Sequence, residues 1–186
     1  MSQTSVTAAG MAIGVAGQIA DSMEGRDVVS GFSQEATAQI PFGYGLMKGV
    51  TPDGYVLPTG ASGTMEVVGL SVFSTSHSRA GNPDPNGLYS GDMGASGLLP
   101  KSSMQVGRRG RFLVPVESNV VNGDRAYCRT VATGALTQGS WVGTNLGGSY
   151  VRDCRAQGIF RSNTYTAADG TTKVAVLECD FTAQPA

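Results

Sequence analysis

Glycine occupies 27 of the 186 positions and interrupts almost every apolar run, which disfavours most architectures built on helices. In a helix interior each glycine costs about 1 kcal/mol relative to alanine, whereas in turns it supplies the positive φ angles that tight reversals need. Charged residues make up only 15 % of the chain, against about 25 % in an average soluble domain. The solvated polar faces that long surface helices require are therefore scarce as well. Short strands joined by tight turns satisfy both constraints. With 40 % apolar content, the chain is long enough for one β-rich domain with a core of ordinary size.

Along the chain the pattern supports this reading. In residues 1–25, Met11, Ile13 and Val15 fall on one strand face, while Gly10, Gly14 and Gly17 oppose a helix. We read residues 1–30 as an extended arm, with Met11, Ile13, Val15 and Ile19 as candidate contacts with another subunit. Phe42, Tyr44 and Leu46 alternate with Gly43 and Gly45, the turn Pro52-Asp53-Gly54 follows, and Tyr55 to Leu57 return, which predicts a hairpin over 40–58. Residues 67–73 read as a buried strand. Residues 74–103 lose all periodicity in a run of Gly, Pro and Asn and predict a long insertion loop. Beyond Met104, turn signals near 122–124, 134–139 and 168–171 separate alternating segments, at the spacing of roughly 8–15 residues that marks a sandwich or barrel. The expected organisation is the arm, 1–30, and a single β domain, 31–186, carrying the loop at 74–103.

The formal net charge of −1 argues against a dedicated nucleic-acid binder. Its distribution is uneven: residues 1–100 hold 3 basic and 8 acidic groups, residues 101–161 hold 9 and 3. Arg108, Arg109 and Arg111, with Arg125 and Arg129 on the following strand, form a positive patch if those strands are neighbours. Such a patch either docks onto an acidic partner or pairs with the domain's own acidic strands, and the second is the simpler reading. Residues 109 and 111 share a strand face, and 108 opposes them.

No catalytic, cofactor or metal-binding constellation is expected. Cys128, Cys154 and Cys179 are odd in number and unrelated in spacing, and read as reduced, buried apolar side chains. His77 is the only histidine and lies in the Gly/Pro/Asn-rich loop, with no orienting partner for nucleophilic catalysis in view. The carboxylates Asp21, Glu24, Asp27, Asp153, Glu178 and Asp180 are scattered singly, and Asp84 and Asp92 lie in the loop, without ligand spacing. Gly107-Arg108-Arg109-Gly110-Arg111 reads better as a charged turn or interface loop than as a phosphate cradle. No apolar run approaches the ~18–20 residues of a membrane span, and Met1-Ser2-Gln3-Thr4 lacks the basic start of a signal peptide, so synthesis in a host bacterial cytoplasm is expected.

Several phrases, taken in order, resemble the structural cement, or head decoration, proteins of tailed phages. They are Gly17-Gln18-Ile19-Ala20-Asp21 with Asp27-Val28-Val29-Ser30, then Ala38-Gln39-Ile40-Pro41-Phe42-Gly43, and Val67 to Val72. Gly107 to Glu117, Asn122 to Arg129 and Val174 to Glu178 follow. The resemblance covers nearly the whole chain and is poorest at 74–103. It implies a jelly-roll-like β-sandwich or barrel without catalysis. It also implies a virion protein on the outer surface of the major capsid protein shell, which stabilises that shell after expansion. Self-association as a homodimer or homotrimer on a capsid symmetry axis is expected, the dimer preferred, with no nucleic acid or membrane as partner. Two other readings stay open: a tail or fibre adaptor, and a carbohydrate-binding β-sandwich. The single Trp141 and 7 % aromatic content count against the second.

Overall fold

The computed structural model describes residues 14, 16–20, 26–59, 66–73, 97–144, 151–154, 157–167 and 170–182. These residues form thirteen strands and no helix: β1 (Asp27–Ser33), β2 (Ile40–Pro41), β3 (Gly45–Lys48), β4 (Gly54–Val56), β5 (Gly69–Ser71), β6 (Gly97–Leu98), β7 (Ser103–Pro115), β8 (Tyr127–Arg129), β9 (Trp141–Val142), β10 (Val151–Asp153), β11 (Gly158–Phe160), β12 (Tyr165–Thr166) and β13 (Lys173–Asp180). The all-β fold expected from glycine and turn spacing is the fold observed. β1, β4, β3, β5 and β7 close into a barrel, because β1 pairs with β4 in parallel at one edge and with β7 antiparallel at the other. The β3–β4 hairpin lies within the predicted 40–58 segment, with Met47 opposite Val56.

The barrel interior is filled by Ile40, Phe42, Leu46, Tyr55, Leu57, Leu98, Met104 and Val106. Ser71 is also fully buried there, and its hydroxyl donates to the Pro41 carbonyl (2.6 Å) and accepts from the Tyr44 N–H (3.1 Å). A second core lies outside the barrel wall. It is built on Trp141, Phe112, Phe160, Leu70, Val72, Leu177 and Phe181, between the β7–β13–β11 surface and the three-stranded sheet β10–β8–β9. Trp141 ties the two cores together, since its indole N–H donates to the Gly43 carbonyl at 2.8 Å.

β7 serves both cores because a bulge reverses its faces. Asp27 lies opposite Arg109 and Val28 opposite Gly107, so Arg108 is the extra residue. Before the bulge, Met104 and Val106 point into the barrel; after it, Phe112 and Val114 point into the second core. Gly107 is required here, since a Cβ would sit 2.5 Å from the Phe112 ring. Gly110 adopts φ +139°, a conformation that side chains rarely allow.

The arm boundary drawn at residue 30 falls inside β1, which is a barrel strand. Residues 17–20 also belong to the body: Gly17 N–H donates to Leu113 O (2.6 Å), Leu113 N–H to Gln18 O (2.8 Å) and Ala20 N–H to Arg111 O (2.9 Å). Similarly, the end of the predicted 74–103 loop is ordered by the core. Gly97–Leu98 pairs with Ile40–Pro41, and Leu98 is fully buried. Residues 74–96 lie outside the described residues.

Cys128, Cys154 and Cys179 are free thiols buried in the second core. Burial pushes the Cys154 thiol up to about 12 and raises those of Cys128 and Cys179 above the ordinary thiol range. A thiol whose folded pKa exceeds its unfolded value of about 8.5 contributes fully below that value and loses the contribution as pH rises toward the folded one. Stability to urea should therefore hold to about pH 8.5 and then decline, and Cys154→Ala should flatten part of the decline. A thiol reagent should label none of the three in the folded protein at neutral pH and all three in denaturant.

Candidate interface surfaces

The arginines singled out from the sequence separate into two environments. On β13, Val176, Glu178 and Asp180 alternate with Ala175, Leu177 and Cys179, which face the second core. The register places Glu178 opposite Arg111 and Asp180 opposite Arg109, so these four side chains share the outer face. Arg111 Nε donates to Glu178 Oε2 at 2.7 Å, and Arg109 Nε lies 3.4 Å from Asp180 Oδ2. Arg108, displaced by the bulge, instead places Nε 3.5 Å from Asp27 Oδ2. Pairing with the domain's own carboxylates thus accounts for all three.

Two further arginines join the face from other strands. Arg161 Nη2 donates to Glu178 Oε1 at 2.9 Å, so each oxygen of this carboxylate holds one guanidinium. The Arg161 and Arg111 hydrogen bonds keep the Glu178 carboxyl below the usual range, against the opposing effect of burial. Arg125 is bridged to Ile159, which lies opposite Glu178. Arg161 was not part of the sequence-derived patch because Glu178, the residue that gathers it, comes from a strand 67 positions after Arg111.

Arg129 does not join them. Its side chain is buried, and it makes a bidentate ion pair with Glu117, with Nη2 to Oε2 at 2.7 Å. A further N–H reaches the Val131 carbonyl at 3.2 Å, and the Ser140 hydroxyl donates to the same Glu117 carboxylate. This network fixes the base of the β8–β9 hairpin, whose turn between Thr133 and Leu136 is exposed. The expected strand alternation fails here because both faces of β8 are covered, leaving Tyr127, Cys128 and Arg129 all buried.

Of the arm candidates, Ile19 bridges Phe112 and packs against the second core of its own chain. Met11, Ile13 and Val15 lie outside the described residues, as does His77. Docking of this segment depends on a close backbone approach, since a Cβ on Gly17 would lie 2.9 Å from Gly43 N and 2.8 Å from Phe73 N. An open groove of about 390 Å³ is lined by Asn119, Val121, Asn163, Tyr165 and Lys173 among others. Its polar groups are largely engaged internally, Lys173 Nζ to Asn119 Oδ1 (3.1 Å) and Val120 N–H to Thr164 Oγ1 (2.8 Å) being examples. Among the described residues no three His, Cys, Asp or Glu side chains are grouped so as to hold a metal ion.

The fold is similar to that of a chain in the solved capsid of Myoviridae phage XM1, with a TM-score of 0.61 and 15 % identity, covering 97 % of this chain and 98 % of that one. No curated protein matches the chain. The family described as structural cement protein (E217 gp24/Pam3 gp6) matches residues 2–177, and the chain belongs to that family of phage capsid proteins.

The two kinds of ion pair should differ in energetic weight. Arg129→Met, which strands a buried carboxylate, should lower stability in urea by about 3–5 kcal/mol. Arg111→Gln on the half-exposed face should cost no more than about 1 kcal/mol. Because the Glu178 pKa is depressed in the folded state, its share is present at neutral pH and is lost as pH falls through the folded value.

Proposed function

We propose that the protein is a non-enzymatic cement subunit that binds the outer surface of the major capsid protein shell and stabilises it after expansion. The observation that carries this reading is the family match over residues 2–177, nearly the whole chain. A barrel with two cores tied by Trp141 and β7 suits a stiff clamp. Packed DNA strains an expanded shell from within, and a rigid body bound across subunit boundaries opposes their separation. Each contact needs only modest affinity if the protein is a homodimer, or a homotrimer, on a symmetry axis, because linked sites bind with high effective concentration.

In this reading the arm residues Met11, Ile13 and Val15 reach a neighbouring subunit, and Ile19 anchors them to the body. The structure defines where to cut. Removing residues 2–15 spares the hydrogen bonds of Gly17 to Ala20 with β7, so the truncated protein should keep its circular dichroism spectrum and melting temperature. It should coat shells more weakly than the full chain.

The direct test is addition of purified protein to expanded phage heads that lack it. Binding in near-equal stoichiometry to the major capsid protein, with a higher temperature of DNA release, is expected. Labelling confined to tails, or heads that bind the protein and release DNA at an unchanged temperature, would refute the cement role. Light scattering of the free protein distinguishes dimer from trimer.

A further inference from the structure

The register brings one row of residues across four strand segments on the outer face: Arg125, Ile159, Glu178 and Arg111. At an inter-strand spacing near 4.8 Å the row spans roughly 14 Å. Arg161 flanks it, held to Glu178, and Arg109 with Asp180 forms the adjoining pair. The face thus carries four guanidiniums against two carboxylates, on a chain whose formal net charge is −1. Arg125 is exposed and has no ionic partner among the described residues. Ile159 and Val176 are partly exposed between the charges.

We propose that this face docks onto a carboxylate-rich protein surface of the shell, an assignment that rests on the cement role proposed above. Glu178 and Asp180 hold three of the guanidiniums in place, which lowers the side-chain entropy lost on binding. An arginine has five N–H donors and one carboxylate engages at most two, so Arg109 and Arg161 keep donors for incoming carboxylates. The net positive charge selects an acidic partner. The aliphatic pair Ile159 and Val176, partly exposed between the charges, favours a protein surface over a phosphate backbone, which offers no apolar side chains to pack against them.

The decisive variant is Arg125→Glu/Arg161→Glu, which inverts the charge balance and leaves the Arg111–Glu178 and Arg109–Asp180 pairs intact. Binding to expanded heads lacking the protein should fall by about tenfold or more at low salt, and wild-type binding should weaken as salt rises. Lys48→Glu/Lys101→Glu, with the same change in net charge elsewhere, should bind within about twofold of wild type. If the reversal variant unfolds, Arg125→Gln/Arg161→Gln should show a smaller loss in the same direction. Wild-type occupancy and salt response in the folded reversal or glutamine variant would overturn the assignment. Equal losses in the lysine variant would reduce the effect to net charge and also overturn it. Wild-type binding to a duplex DNA fragment that is lost in the reversal variant would transfer the face to nucleic acid, against the proposal. Failure of the wild type to bind heads at all would instead remove the cement role itself.

Discussion

The structure depends on a single strand that belongs to two cores. β7 pairs along one edge with residues 17–20 and then β1, and along the other with β13 and then β5. Both cores therefore share one backbone, and the bulge at Arg108 lets them do so by turning Met104 and Val106 one way and Phe112 and Val114 the other. A regular strand of this length would present one set of side chains to one side throughout, and one of the two cores would receive the wrong residues. The sequence Gly107-Arg108-Arg109-Gly110 is consistent with this duty. Its glycines make room for Phe112 and for an unusual φ, and its arginines tolerate the exposed, kinked position. With both edges occupied, β7 also leaves no open ladder for unwanted pairing.

Local pattern made part of this legible. Alternating glycine and large residues before the Pro52-Asp53-Gly54 turn identified the β3–β4 hairpin, and two-residue periodicity correctly set Arg109 and Arg111 on one face. What pattern could not supply was which strands meet. Barrel closure requires β1 to lie parallel to β4, a pairing that no turn connects, and the outer face is assembled from residues as distant as Arg111 and Glu178. Leu98 shows the same limit from another side: a glycine- and proline-rich stretch reads as loop, yet its last apolar residues are captured by Ile40. Periodicity also misplaced Arg129. Alternation separates faces only where one side of a strand meets water, and β8 has neighbours on both sides as well as on both edges.

Arg129 and Arg111 illustrate how environment, rather than residue type, sets the value of a charge. Arg129 holds both oxygens of Glu117, and Arg111 is bonded through Nε to one oxygen of Glu178. The Glu117–Arg129 pair is desolvated, and removing ions from water costs several kcal/mol each, so the pair is tolerable only because Ser140, Val131 and Thr133 satisfy the remaining donors and acceptors. Such a network contributes little net stability compared with an apolar replacement, and what it does supply is a defined position for the hairpin above it. The half-exposed pairs on the β7–β13 face make the opposite trade: little desolvation, little gain and little penalty for change.

That contrast bears on what the outer face is for. Ion pairs worth about 0–1 kcal/mol each do not explain why a charge-poor chain gathers four of its arginines on one surface. Stability would be served as well by threonine and valine pairs across the same strands. Arginine also outlasts lysine as an interface group, since its planar fork can hold one carboxylate while donating to another and it is weakly hydrated. A partner's carboxylates arriving at this face would exclude water from pairs that are now half solvated. The same attractions would then act in a lower effective dielectric, where each counts for more. An arrangement nearly silent in the free protein thus acquires its energetic weight only when the surface is covered.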